Sequence, residues 1–182
     1  MTTAILVALL LCAVGADLKS RRIPNTLVLT GLTLAVAVHA AALALAQPAL
    51  SLAGPAWWSP LTGMLTGLAL LMPLYLLRAT GAGDVKLMAM VGAFVGTPTV
   101  LAATLYTLLA GGLLSLVFML GRGVATQTLV NVRFLLTDLM FRAGSGQGAR
   151  LAPLQTTAAR LPYAVAISLG TAGALIWPPG WT

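Results

Sequence analysis

The sequence predicts an all-α polytopic membrane protein with about six transmembrane helices and a cytoplasmic amphipathic helix between the fifth and sixth spans. Hydrophobic residues make up 59% of the 182-residue chain and charged residues only 7%. Soluble domains carry about 25% charged residues, so a water-soluble fold is excluded. Apolar runs recur along the whole length, and short polar or Gly- and Pro-containing segments separate them. We therefore expect a single integral-membrane domain over residues 1–182.

Six apolar runs predict the spans in chain order. Pro24 suits the first turn of the second helix, and pairs of glycines four apart in the third and fourth spans favour close helix packing. The fourth span would rise only about 20 Å as a helix, less than a hydrocarbon core of about 30 Å. Either the bilayer thins there or the span begins in a protein-lined cavity, with Gly81-Ala82-Gly83 as irregular backbone. The predicted spans are residues 2–16, 26–46, 61–77, 84–96, 99–120 and 161–177.

The basic residues predict the topology. The chain has ten Lys and Arg residues against three acidic ones, a net charge of +7. All ten lie in the segments 17–25, 78–86 and 121–160, which an even number of spans places on one side. An excess of Lys and Arg marks cytoplasmic segments. We therefore expect both termini outside, a cytoplasmic loop at 121–160, and no role for the positive charge in binding nucleic acid.

Residues 124–142, inside that loop, read as an amphipathic helix on the membrane surface rather than as a span. Asp138 and Arg142 are four positions apart, the spacing of a surface ion pair on a helix. The apolar face would carry Leu129, Val132, Leu135, Leu136, Leu139 and Met140, and the polar face Gln127, Asn131, Asp138 and Arg142.

The other two acidic residues, Asp17 and Asp84, each lie where an apolar run meets a basic segment. A charged group in hydrocarbon costs roughly 2.5–3.5 kcal/mol, which makes each one a candidate for function. If the first and fourth helices pack together, two close carboxyls share a proton. One then acts as general base on a water, and the other polarises a peptide carbonyl. For each Asp alone, an ion-paired helix end is the competing interpretation.

Two segments carry a resemblance to a known family. They are Asp17, followed by Lys19, Arg21 and Ile23-Pro24-Asn25, and Gly81-Ala82-Gly83-Asp84-Val85-Lys86-Leu87-Met88. Together with the six-span layout they resemble the prepilin peptidases (type IV leader peptidases), intramembrane aspartic peptidases of the Gly-x-Gly-Asp type. The resemblance implies that Asp17 and Asp84 are the catalytic pair. Pro162-Tyr163 is similar to a Pro-Tyr-Gly element of many members, but Ala164 replaces the Gly, so we assign it no catalytic role.

The resemblance also implies a substrate and a location. Such an enzyme removes the basic leader of prepilin or pseudopilin precursors at the cytoplasmic face of the bacterial inner membrane, with membrane lipid around it. It uses a water and neither a cofactor nor a metal. The sequence has no counterpart of the cysteine-rich methyltransferase region of long members, because the first span begins at the N-terminus and Cys12 is alone. We expect a peptidase-only form similar to those of tight-adherence (Flp) pili.

Three other features near the aspartates are candidates for supporting roles. Gly81 and Gly83 would let the backbone approach an extended substrate. Lys86 and Lys19 would tune the ionisation of the carboxyls, or serve only as topology anchors. Asn25 would orient an aspartate, or cap the second helix. The single His39 lies inside the second span, where a neighbouring carbonyl usually satisfies such a group.

Two other functions remain open from the residues alone. A small transporter would couple ions through the two aspartates, since membrane carboxylates often do so. Against it, neither acid lies near the bilayer midplane, where transporters bind their substrates. A non-catalytic assembly factor of a pilus or secretion complex is the second alternative. The intact aspartates at both motif positions count against that one.

Overall fold

The computed structural model describes residues 1–77, 80–121 and 163–178, together with positions 133, 137 and 180. Within these ranges the regular structure is helical, as the sequence predicts. The α-helices are α1 (Thr2–Ser20), α2 (Asn25–Ala44), α3 (Ser59–Leu76), α4 (Ala82–Gly121) and α5 (Tyr163–Ile176), with a short 3-10 helix at Pro48–Leu50.

Four of the described helices are long and apolar enough to cross a membrane. They are α1, α2, α3 and the part of α4 from Ala82 to Phe118, and α5 is a shorter apolar helix. These helices fit a multi-pass membrane protein. The count of six spans stays a prediction.

Gly96 breaks α4 into two helical segments. Its backbone angles, φ 75° and ψ 175°, are not helical and favour glycine, and Pro98 follows two residues later. Residues on both sides of the break contact Gly67 of α3: a Cβ there would lie 2.5 Å from the Met88 carbonyl oxygen and 3.2 Å from Val100 Cγ2. Met88 and Val100 are 12 positions apart in the sequence. On one straight helix they would be about 18 Å apart. The chain therefore folds back at Gly96, between the predicted fourth and fifth spans.

Glycines allow α3 and the first segment of α4 to touch through their backbones. A Cβ on Gly63 would overlap the Gly92 carbonyl oxygen, and a Cβ on Gly92 would overlap that of Gly63. This is the close approach that the four-residue glycine spacing predicts.

The first segment of α4 is the most buried part of the described chain. Leu87, Met88, Met90 and Val91 are completely inaccessible, and they belong to one apolar cluster with residues of α1, α2, α3 and α5. The start of the short fourth span is less buried, with Gly81, Ala82 and Lys86 exposed and Asp84 half-buried. Both explanations for its length stay predictions.

Two predicted boundaries are wrong. Helix α1 does not end at Asp17 but continues through Ser20, and Arg21 ends it in a left-handed conformation (φ 51°) with its N–H donated to the Asp17 carbonyl. Ala82 and Gly83 are not irregular backbone but the first two residues of α4. The Gly81 carbonyl starts that helix by accepting hydrogen bonds from the N–H groups of Asp84 (3.1 Å) and Val85 (3.4 Å).

His39 holds the loop between α2 and α3. Its Nε2 lies 3.0 Å from the Ala56 carbonyl oxygen and its Nδ1 lies 2.8 Å from Ser51 Oγ. The carbonyl only accepts, so Nε2 carries the proton and Nδ1 accepts from the Ser51 hydroxyl. Ser51 Oγ in turn accepts the Ala53 N–H at 3.2 Å. The buried imidazole is thus fully hydrogen-bonded, as the sequence predicts for a lone histidine.

The chain divides into two compact units. The first comprises Met1–Gly111 and Pro162–Thr182, and the second Gly112–Leu161. The predicted amphipathic helix at 124–142 and Asp138 fall in the second unit and lie outside the described residues, apart from Arg133 and Thr137. Those two positions are helical, with the Thr137 hydroxyl donating to the Arg133 carbonyl at 2.9 Å.

Candidate active site

Asp17 lies in the last turn of α1 and is 7% exposed. Its Oδ2 accepts a hydrogen bond of 3.1 Å from the backbone N–H of Ala164, in the first turn of α5. The first N–H groups of a helix have no partner within the helix and carry partial positive charge. The start of α5 therefore satisfies the buried carboxyl and fixes its orientation.

Asp84 is the third residue of α4 and is half-buried. Its Oδ2 accepts the N–H of Gly81 at 2.9 Å, while the Gly81 carbonyl accepts the N–H of Asp84. The bond from the Gly81 N–H to the Asp84 side chain is one half of a capping box, with Asp in the place that Glu or Gln usually takes, and the other half is absent because glycine has no side chain. The arrangement fixes the carboxyl at the positive end of the helix dipole.

The two carboxyls lie close enough to interact electrostatically. In each, Oδ2 is the oxygen that a backbone N–H holds. Within the described residues, no backbone group donates to Oδ1 of either side chain. Each carboxyl is therefore oriented through one oxygen, and its other oxygen has no backbone donor within the described residues. Two such groups in a poorly solvated site can serve as a general base and a general acid.

The predicted supporting residues Lys86 and Asn25 contact each other. Lys86 Nζ donates to Asn25 Oδ1 at 3.0 Å, which joins the first turns of α2 and α4. Lys19 is exposed, and neither lysine forms an ion pair with an aspartate among the described residues. For these two cations, the structure gives no support to the alternative of an ion-paired helix end.

The two glycines of the second motif have different surroundings. A Cβ on Gly83 would lie 3.3 Å from the Cβ of Ile23, so this glycine packs the second motif against the first. Gly81 is exposed, and the nearest atom to a Cβ there is Asp84 Oδ2 at 3.3 Å. Of the two, only Gly81 offers open backbone beside a carboxyl. The role of both in approaching a substrate stays a prediction.

Sequence reasoning missed the first turn of α5. Tyr163 interacts electrostatically with Asp84, and its neighbour Ala164 is the donor to Asp17. The partial Pro-Tyr element at the start of the last apolar run was the available signal. It was set aside because Ala164 stands where Gly is usual. A backbone N–H is present in every residue type except proline, so the donor itself has no mark in the sequence.

The described residues contain no group of three or more His, Cys, Asp or Glu side chains that would hold a metal ion. Cys12 is exposed on α1.

The described chain consists of apolar helices, and two of them carry a buried or half-buried carboxyl at one end. This is the arrangement of a polytopic membrane protein with a polar site among its helices. Comparison with family models makes this specific. The model of the type IV leader peptidase family matches residues 4–116, more than half of the chain and a range that includes Asp17 and Asp84. The chain therefore belongs to the type IV leader peptidase family, a family of peptidases. No curated protein and no solved structure matches it.

Proposed function

We propose that this protein is an intramembrane aspartic endopeptidase that removes the basic leader from type IV prepilin-like precursors. One observation carries the proposal. Asp17 and Asp84, both within the family match, interact electrostatically and are each oriented by a backbone N–H through Oδ2. The family implies prepilin-like substrates.

The proposed chemistry needs one water and one proton shared by the pair. Two carboxyls that approach each other in a site of low dielectric constant do not both ionise. The ionised carboxylate takes a proton from the water while the oxygen of that water attacks the scissile carbonyl carbon. The protonated carboxyl donates a hydrogen bond to the carbonyl oxygen. Collapse of the tetrahedral intermediate breaks the C–N bond. A proton passes to the departing amine, leaving a new carboxyl and a new N-terminus.

The proposed substrate is an apolar helix preceded by a short basic leader. Such a helix would lie in the bilayer beside the bundle, with its cytoplasmic junction at the aspartates. Support comes from the sequence, in which both aspartates adjoin basic segments that the positive-inside rule assigns to the cytoplasm. We propose a multi-pass inner-membrane protein with both termini outside, which releases leaders to the cytoplasm and serves Flp-type prepilins.

The decisive experiment is co-expression with an epitope-tagged Flp-type prepilin, with leader removal followed by gel mobility and N-terminal sequencing. Wild type should cleave, and Asp17→Asn and Asp84→Asn should each reduce cleavage by at least about 100-fold while the protein remains inserted. Asp138→Asn is the matched control, because the third aspartate has a predicted surface role, and it should cleave normally.

Two outcomes would overturn the proposal. Cleavage at the wild-type rate by either Asp17→Asn or Asp84→Asn would exclude the aspartate pair. Failure of the wild type on a panel that includes Flp-type prepilins, other type IV prepilins and pseudopilins would exclude the leader peptidase.

A further inference from the structure

Thr80 directly precedes the second aspartate motif and carries a buried hydroxyl without a partner. Its Oγ1 is inaccessible to solvent and forms no hydrogen bond within the described part of the chain. Buried polar groups without a partner are rare in native proteins and cost stability. We propose that the Thr80 hydroxyl binds a main-chain peptide group of the substrate beside the scissile bond. The inference rests on the proposed peptidase function, to which it adds a substrate-binding residue.

The local structure explains why this hydroxyl is not satisfied within its own segment. A buried threonine inside a helix often donates to the carbonyl four residues earlier, as Thr104 does to Val100 at 2.7 Å. Thr80 lies outside the helices, two residues before α4 begins. Threonine often caps a helix, but here Gly81 takes the cap position, because its carbonyl accepts the first hydrogen bonds of α4. Neither of the usual local roles is therefore open to the Thr80 hydroxyl.

Covalent geometry places this hydroxyl beside the candidate catalytic pair. The nitrogen of Gly81, the residue that follows Thr80, lies 2.9 Å from Asp84 Oδ2. Thr80 Oγ1 is four bonds from that nitrogen and therefore lies within about 5 Å of it. The hydroxyl is thus within about 8 Å of the Asp84 carboxyl. An extended chain advances about 3.3 Å per residue, so that distance covers about two residues of a substrate.

Cleavage of a membrane helix gives such a hydroxyl a role. The scissile segment must unwind before a water can reach its carbonyl carbon. Each peptide N–H and carbonyl that unwinding releases then needs a new partner, because little water is present at membrane depth. A threonine hydroxyl can donate one hydrogen bond and also accept, so it suits either group. A bond to the unwound segment would also remove the cost of the unsatisfied hydroxyl, which favours the unwound substrate over the helical one.

The test follows activity and stability together, with full-length enzyme in detergent micelles and a purified prepilin. Thr80→Val keeps the branched shape of the side chain and removes the hydroxyl. We expect kcat/KM to fall about 5- to 50-fold, because a peptide group of the substrate loses its partner. The melting temperature should equal that of wild type or rise, because the free enzyme loses an unsatisfied buried group.

Matched substitutions isolate the hydroxyl from the rest of the side chain. Thr80→Ser retains the hydroxyl and should keep kcat/KM within about threefold of wild type. Thr80→Ala removes it and should lose activity as Thr80→Val does, which keeps the test valid if the valine variant does not accumulate. Thr104→Val removes a buried hydroxyl that already has a partner, so it should leave kcat/KM unchanged and should not raise the melting temperature.

The remaining outcomes separate this inference from the function on which it rests. Wild-type kcat/KM in Thr80→Val and Thr80→Ala, with Asp17→Asn and Asp84→Asn inactive, would overturn the inference and leave the peptidase intact. A lower melting temperature in both hydroxyl-free variants, with Thr80→Ser stable, would also overturn it, because the hydroxyl would then hold the free enzyme together. Wild-type activity in the Asp variants would overturn the peptidase and the inference together.

Discussion

The carboxyl of Asp17 in α1 is bonded to the backbone N–H of Ala164 in α5, a contact between residues 147 positions apart. It joins the described chain's first helix to its last through the most polar buried group of α1. A buried carboxyl without a partner would be costly, so the contact also stabilises the pairing of the two helices. One hydrogen bond therefore both orients a candidate catalytic group and adds to the apolar packing of α1 with α5.

Asp84 is oriented by a hydrogen bond within its own helix start, whereas Asp17 is oriented by a bond from another helix. Its bond to the Gly81 N–H is a helix cap, a purely structural role in many proteins. Here the cap also fixes one oxygen of a carboxyl that interacts electrostatically with Asp17. Capping and catalysis are compatible because a carboxyl has two oxygens and the cap uses one of them.

The bond between Lys86 and Asn25 predicts a modest role in activity. Lys86→Met should lower cleavage roughly two- to fivefold, since an exposed polar contact is worth about 0–1 kcal/mol. Lys19→Met, which removes an exposed lysine that makes no such bond, should cleave at the wild-type rate. Cleavage rates at equal amounts of inserted protein, judged by immunoblot of membranes, provide the measurement.

A double-mutant cycle tests whether the bond itself is responsible. Asn25→Ala and Lys86→Met together should cost no more than either alone, and Asn25→Asp should retain activity because it still accepts from Lys86. An equal loss in Lys19→Met and Lys86→Met would show instead that both act only as general positive charges.

The residues that the sequence identified were those whose type is rare in a membrane chain. Asp17 and Asp84 stood out because the chain has only three acidic residues. The helices followed from runs of apolar residues, and the break at Gly96 from the boundary between the fourth and fifth runs. What hydropathy could not show was backbone geometry. The left-handed Arg21 that ends α1 after Ser20, and the N–H of Ala164, depend on folding rather than on residue type.

The glycine contact between α3 and α4 predicts a large and specific effect on stability. Gly63→Ala would place a methyl group on the Gly92 carbonyl oxygen and must push the helices apart, so we expect a loss of at least about 3 kcal/mol or failure to accumulate. Gly15→Ala on α1 meets no atom within 4 Å and should be neutral or stabilise by about 0.5–1 kcal/mol. Thermal aggregation in detergent measures both, and equal midpoints for the two variants would contradict the packing.

We expect His39 to contribute to stability and not to catalysis. His39→Leu would leave the Ser51 hydroxyl and the Ala56 carbonyl without their partner and should lower the free energy of unfolding by about 2–3 kcal/mol. Asn25, the residue of α2 nearest the aspartate site, is about 21 Å away along that helix. The cleavage rate per folded molecule should therefore stay within about twofold of wild type.

The matched control for His39 is Thr33→Val in the same helix. The Thr33 hydroxyl is exposed and donates only to the Thr30 carbonyl of α2 itself, so its loss should leave the melting temperature unchanged. Ser51→Ala should destabilise less in the His39→Leu background than in wild type, because the shared hydrogen bond is already gone. A fall in the cleavage rate per folded His39→Leu molecule, with the melting temperature unchanged, would mean that this histidine serves the chemistry and not the loop.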